Sequence, residues 1–361
     1  MLASKGFNTE DRNSVASGGN NTYDYTYEGV EYKIHKFTAN GTFTVNFSVP
    51  FDALVIGGGG GGSFGGGGAG RLLWATNQHF TSGTYEINIG EGGVGNEVTT
   101  LGGRTGGPSS IGPLADPTLL AIGGGAGGGS QNTGGDKNHT NTNIGDGSNG
   151  GSGGGGGHGT TASPVNNGAF GIATLGGSDA SSGYNYVNWD ISNNINNAVH
   201  YTTSTGTGIT SYGNNGGAGP TSSQTGSSNY WGGSGGGAGG AATGTPSNNQ
   251  TQTPGVGHST FVNSSAAETT AFLLAAVAGT DSSNVATTGS SSGTLYIAGG
   301  GGGAYGSMDG GDGGGGDGSE SAGSSNHASS GRSNTGGGGG GANGPGKRGG
   351  SGIVIIRYRL H

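Results

Sequence analysis

The chain alternates between short apolar segments of β character and long stretches with almost no side chains. Tyr23, Tyr25 and Tyr27 alternate with polar residues, the pattern of an edge strand or an attachment arm. Val30–Phe37 (VEYKIHKF) and Thr42–Val49 (TFTVNFSV) alternate too, and Asn40-Gly41 between them signals a hairpin. Pro50 breaks the run before a strand over Asp52–Ile56. Three apolar segments lead straight into glycine: Ala53–Ile56 before Gly57–Gly62, Leu119–Ile122 before Gly123–Gly125, and Leu295–Ala298 before Gly299–Gly303. Tyr85–Gly95 (YEINIGEGGVG) predicts a short strand running into a loop, and Ile353–Tyr358 (IVIIRY) a closing apolar strand. One helix is predicted, over Ala266–Ala278, with Ser265-Ala-Ala-Glu268 as a capping box and Gly279 as its stop. Its segment Ala271–Ala278 is apolar on every side, so the helix is expected to be buried.

Composition changes this picture. Glycine supplies 95 of 361 residues, against a usual share of about 7%. Glycine with little charge most often marks a disordered linker, but a linker has no reason to repeat a strand followed by glycine. Ordering glycine costs roughly 0.5–1 kcal/mol per residue more than ordering alanine. A hydrogen bond returns only about 0.5–1.5 kcal/mol net. With 28% hydrophobic residues to draw on, nearly every peptide group must therefore be paired. Extended left-handed helices of three residues per turn permit this, because chains without Cβ atoms pack closely and share N–H···O and Cα–H···O bonds. Collagen uses that backbone with glycine at every third position; the runs here are contiguous and interrupted, which excludes it. The expected fold class is mainly β with a polyglycine-II helix bundle: β-strands flanking packed glycine-rich left-handed helices, and one short α-helix.

The organisation follows. Residues 1–27 read as an N-terminal attachment arm, 28–56 as a β-hairpin module, and 57–359 as a glycine-rich domain with low-glycine insertions at 176–215 and 241–293. Residues 1–13 carry no apolar core of the kind a secretory signal needs. A net charge of −8 argues against a nucleic-acid binder. No apolar run approaches the ~18 residues of a membrane span. There is no cysteine, hence neither a disulfide framework nor a thiolate metal site.

Candidate chemistry is sparse. Gly57–Gly62 follows a strand but opens no helix, so it lacks the context of a dinucleotide site. Asp309, Asp312, Asp317 and Glu320 suggest calcium by their oxygen ligands. They lack the recurring apolar position of a calcium-binding repeat and read more simply as turn carboxylates. The eight histidines are scattered, and no serine, histidine and aspartate can be picked out as a set. The reading is therefore non-enzymatic, with no catalytic residue, no metal and no cofactor. The insertion at 176–215 is the candidate recognition segment. Tyr184, Tyr186, Asn188, Trp189, Asp190 and Tyr201 combine rings that stack on sugars with adaptable hydrogen-bonding groups; the competing reading makes Tyr186 and Trp189 a satellite core. Trp231, beside a glycine run, reads as structural.

Five pieces in order carry a resemblance: HKFTANGTFTV (His35–Val45), ALVIGGGGGG (Ala53–Gly62), YEINIGEGG (Tyr85–Gly93), LYIAGGGGGAYG (Leu295–Gly306) and SGIVIIRYR (Ser351–Arg359). Together they resemble the glycine-rich domain of bacteriophage virion structural proteins, of tail-fibre and adhesin-like type. The resemblance implies a virion location and a tail fibre or tip adhesin contacting the host surface through loops. A purely architectural fibre segment or decoration protein is the alternative. It implies other virion proteins as partners and a host surface glycan or outer-membrane protein as target, without nucleic acid or membrane insertion. Oligomeric state stays open, with the apolar end strands and polar arm favouring assembly with other chains. An extracellular filament or ice-binding protein is disfavoured, because an ice binder of this backbone type needs regular Gly-x-x triplets for a flat face and the runs here are uneven.

Overall fold

The computed structural model describes residues 15–96, 102–129, 147, 150–157, 207–219, 231–243, 253–261, 264–277, 287–288, 295–305, 309–319 and 327–360. Strands β1 (Ala16–Gly18), β2 (Asn21–Tyr27), β3 (Val30–Phe37) and β4 (Gly41–Val45) open it. Next come β5 (Pro50–Ile56), β6 (Leu72–His79), β7 (Gly83–Asn88), β8 (Ser109–Ile111) and β9 (Leu119–Ala121). They are followed by β10 (Ile209–Tyr212), α1 (Ala266–Val277), β11 (Thr287–Thr288), β12 (Leu295–Tyr296) and β13 (Ile353–Arg359). The architecture is mainly β, with a five-stranded sheet (β1-β4-β7-β8-β9), a six-stranded sheet (β10-β6-β5-β13-β3-β2) and the small pair β11-β12. Every ladder is antiparallel.

Strand β13 explains the placing of the core. It lies between β5 and β3, so the closing apolar strand is central in its sheet. Val354, Ile356 and Tyr358 face the five-stranded sheet and pack with Phe43, Phe51 and Phe80. Ile353 and Ile355 face the other way, against Trp74, Phe261 and Phe272. A strand covered on both faces reads as an unbroken apolar run, as IVII does.

Two sequence expectations need correction. Asn40-Gly41 does not close a hairpin: β3 pairs with β2 and β13, whereas β4 pairs with β1 and β7 in the facing sheet. Alternation specifies a buried face and not a partner, and both strands bury theirs in one interior, where Phe37 and Phe43 meet edge to face at 6.3 Å. The Asn40 side chain instead accepts from the Ile89 amide at 2.8 Å. The tight hairpin is at Glu28-Gly29, with φ of 48° and 79°, joining β2 to β3. Residues 21–27 thereby form the edge strand of the six-stranded sheet.

The second correction concerns α1. Its Glu268 amide donates to Ser265 Oγ at 3.0 Å, as a cap should. The Glu268 carboxylate, however, turns to Arg357 at 2.8 Å, so the capping box is half formed. Nor is the helix buried all round. Phe272 and Leu273 are buried, while Leu274 is 54% exposed.

The glycine segments form a layer that continues the sheets. Gly57 and Gly60 donate to Arg71 and Gly68, Gly58 and Gly61 to Gly107 and Arg104, and Gly59 and Gly62 to Gly350 and Lys347, at 2.8–3.0 Å. Acceptance has the same period. Gly58 and Gly61 receive from Gly124 and Gly127, Gly59 and Gly62 from Gly93 and Asn96, and Gly60 from Gly339. One segment thus exchanges hydrogen bonds with neighbours on every side, and each neighbour recurs at the third residue. A β-strand has partners on two sides only. These glycines are not among the residues with positive φ. They are required because a Cβ on Gly58 would lie 2.1 Å from the Glu91 oxygen, and one on Gly60 2.0 Å from that of Gly125.

Candidate functional site

The glycine layer has a sheet end and a loop end. Gly57–Gly62 leads away from β5, turns at Ser63-Phe64 and returns through Gly65–Gly70 to β6. Other segments finish beside that turn: Ala304 donates to the Phe64 oxygen, Ala342 to that of Ser63, and Gly65 to that of Gly128. Gly232 donates to Ala304, and Ser319 to Gly341. Gly157 and Gly219 reach the same end, a Cβ on Gly219 meeting the Gly157 oxygen and one on Gly157 that of Gly129. Residues 130–146, 158–206, 220–230, 306–308 and 320–326 therefore all join the described chain there on at least one side.

Tyr184, Tyr186, Asn188, Trp189, Asp190 and Tyr201 lie outside the described residues. Their segment follows Gly157 at the loop end and rejoins at Thr207-Gly208, where Thr76 donates to the Gly208 oxygen at the far end of β6. Phe64, Tyr305 and Asn343, which the sequence reading passed over, stand at the loop end together with Trp231, which it read as structural. Phe64 and Tyr305 pack with ring centroids 5.6 Å apart, and the Asn343 amide donates to the Tyr305 hydroxyl. Trp231 is half-buried, with its indole N–H unpartnered among the described residues. The signal that would have found them is position: each ring or amide borders the end of a glycine run.

A cleft of about 950 Å³ opens at the opposite, sheet end, with Val15 and Leu360 both on its wall. Arg357 forms its floor. Nε donates to Asp52 Oδ2 at 3.0 Å, Nη1 to the Tyr25 hydroxyl at 2.7 Å, and Nη2 to Glu268 Oε1 at 2.8 Å. The guanidinium also lies over the rings of Tyr32, Trp74 and Phe272 at 4.9, 5.4 and 5.2 Å. Burial works against its charge, but Tyr25, Asp52 and Glu268 outweigh that and raise its pKa. Burial pushes the Tyr25 hydroxyl up to about 12, against the opposing pull of Arg357. The group ties β13, β5, β2 and α1 together, with its charge met on the spot.

Elsewhere the titratable groups serve the fold. Asp317 accepts from the Gly310 amide at 2.7 Å and from Ser329 Oγ at 3.1 Å, which fastens the acidic segment to its neighbour. His35 is buried and donates from Nδ1 to the Gly18 oxygen at 2.7 Å. Among the described residues, no group of three or more His, Asp or Glu could hold a metal ion, and no helix is long and apolar enough to cross a membrane.

The family model for the glycine-rich domain matches residues 38–271, more than half of the chain. The chain belongs to the glycine-rich domain family. No curated protein and no solved structure matches it. The family span runs from the end of β3 into α1 and takes in the Ser63-Phe64 turn and Trp231. It leaves out β13, the central strand of the six-stranded sheet, and the run Gly336–Gly341, which is woven into the same layer.

Proposed function

We propose that this chain is a non-enzymatic structural protein of a bacteriophage virion, a tail-fibre or tip adhesin whose loop end meets the host surface. One observation carries the reading. The Ser63-Phe64 turn and the point where the chain leaves for residues 158–206 lie at one end of the glycine layer, while the cleft walled by Val15 and Leu360 lies at the other. Such a molecule is held at its sheet end by other virion proteins and presents loops at its far end.

In this reading the glycine layer is a bundle of polyglycine-II helices. The recurrence of each hydrogen-bonded neighbour at the third residue matches a helix of three residues per turn. A run of six glycines then spans about 19 Å at about 3.1 Å per residue. The bundle acts as a stiff spacer, since backbone bonds hold it in all lateral directions. Tyr184, Tyr186, Asn188, Trp189, Asp190 and Tyr201 are the contact set, with a host surface glycan or outer-membrane protein as the target.

Antibody against residues 176–215, imaged on intact particles by electron microscopy, tests this. Label at a fibre or tail tip, with adsorption blocked, is expected. Label along a shaft or over a shell with adsorption intact assigns the chain a purely architectural role, and particles without the epitope overturn the virion reading.

A further inference from the structure

Strand β1 closes one edge of the five-stranded sheet, paired with β4 over three residues. From it the chain crosses to β2 in the facing sheet through Gly18 and Gly19, both left-handed with φ of 113° and 102°. The crossing lies tight against β4, since a Cβ on Gly18 would stand 2.2 Å from the Thr42 oxygen. Beyond it Asn20 is fastened: its amide donates to the Lys36 oxygen at 2.8 Å, and its side-chain oxygen accepts from the Thr38 and Ala39 amides. From the interior, His35 Nδ1 donates to the Gly18 oxygen at 2.7 Å. The ring is closed in by Phe43 at 5.2 Å and Tyr358 at 5.8 Å, and its Nε2 is buried with no hydrogen-bond partner. The charged groups nearby do not change this. Lys33 and Asp24 pair with each other at 3.0 Å, with Asp24 59% exposed. Lys36 and Arg357 lie on the other face of the sheet, over Tyr23 and over Tyr32 and Trp74. Burial pushes the Tyr358 hydroxyl up to about 12, so it stays neutral.

We propose that His35 is the latch of an acid-sensitive switch, in which protonation at Nε2 releases β1 from β4 with Gly18-Gly19 as the hinge. An imidazolium carries an N–H at both ring nitrogens, and a buried donor without an acceptor is costly. Opening brings water to the new N–H, which the closed ring excludes. β1 is the element that moves, because its ladder is short and one-sided, whereas β3, which carries His35, is held between β2 and β13. Burial lowers the pKa of the closed ring, with the Gly18 oxygen opposing. The neutral ring therefore keeps β1 closed above about pH 6.5, and acid favours the open form. Release also takes Val15 off the wall of the sheet-end cleft.

The test is amide hydrogen exchange of the full chain at about pH 7.5 and about pH 5, corrected for the intrinsic rate at each pH. The reporters are the Asn46 and Phe47 amides, which donate to the Val15 oxygen at 2.9 and 3.3 Å. Both are expected to be protected less than β13 at either pH. On acidification they should lose protection by up to about thirtyfold, the limit for one proton taken up at the ordinary value of about 6.5. The loss should vanish in His35→Phe, which keeps a ring between Phe43 and Tyr358. Reporters protected to the level of β13 would mean that β1 opens only with the whole fold, and would overturn the switch. An equal loss in His35→Phe, or none in the wild-type chain, would overturn it too. If His35→Phe does not fold, NMR titration of the wild-type imidazole decides. Opening that follows the protonated fraction supports the switch, and a protonated ring with β1 still closed removes it.

Discussion

Gly60 and Gly67 stand back to back in the glycine layer, so close that a methyl group on Gly67 would lie 2.0 Å from the Gly60 carbonyl oxygen. The contact is backbone against backbone, and no rotamer change can relieve it. Gly67→Ala should therefore destabilise the protein by about 1–3 kcal/mol or more. Gly41 is the matching control, because a Cβ there would meet only the Phe37 ring at 3.6 Å. Gly41→Ala should be neutral or stabilising by up to about 1 kcal/mol. Urea denaturation of the two variants measures the difference, and equal effects would contradict the close packing.

The Arg357 group predicts a strong asymmetry. Arg357→Met alone leaves Asp52 and Glu268 without their cation, and should cost about 3–5 kcal/mol. Adding Asp52→Asn and Glu268→Gln should recover part of that loss, giving clear non-additivity in denaturant titrations. Simple addition of the three effects would show that the residues are not one network.

These features differ in how far the sequence reveals them. Strands that run into glycine, the apolar closing strand and the capped helix are local patterns, and each appeared within a residue or a few of its expected place. The partner of β4 was hidden, since a strand buries the same face whether its neighbour in sequence lies beside it or in the opposite sheet. The Arg357 group was hidden for a related reason. Tyr25 and Asp52 lie 332 and 305 residues from Arg357, and no local pattern connects them. The recognition segment rests on the composition of its rings and hydrogen-bonding groups, whereas Phe64, Tyr305 and Asn343 mark the loop end through their place at the ends of glycine runs.

His35 gives the pH dependence a sign. Burial lowers its pKa below the ordinary value, with the Gly18 oxygen opposing, and burial likewise lowers that of His258. Below about pH 6.5 the unfolded chain binds protons that the folded chain resists, so stability rises with pH across that window. It is complete above about pH 6.5 and falls as pH drops toward the folded values. In His35→Phe the slope of stability against pH should be shallower between pH 6.5 and 5, with the His258 share remaining. An unchanged slope would remove His35 from the account.

The helix cap makes a smaller prediction. Ser265 Oγ accepts from the Glu268 amide and contacts the Tyr27 hydroxyl at 3.1 Å. Ser265→Ala should cost about 1 kcal/mol, whereas Leu274→Gln, on the exposed side of α1, should change stability by less than about 0.5 kcal/mol. Thermal melts of both variants check the pair.

Residue-resolved amide hydrogen exchange over Gly57–Gly62 tests the account most directly. Each of the six amides has its own acceptor, and the acceptors lie on three different neighbouring segments. All six should be protected to the level of β13, with no alternation along the run. Protection of every second amide would mean a strand paired on one side only, and exchange at the rate of an open loop would mean that the glycine layer is not a scaffold.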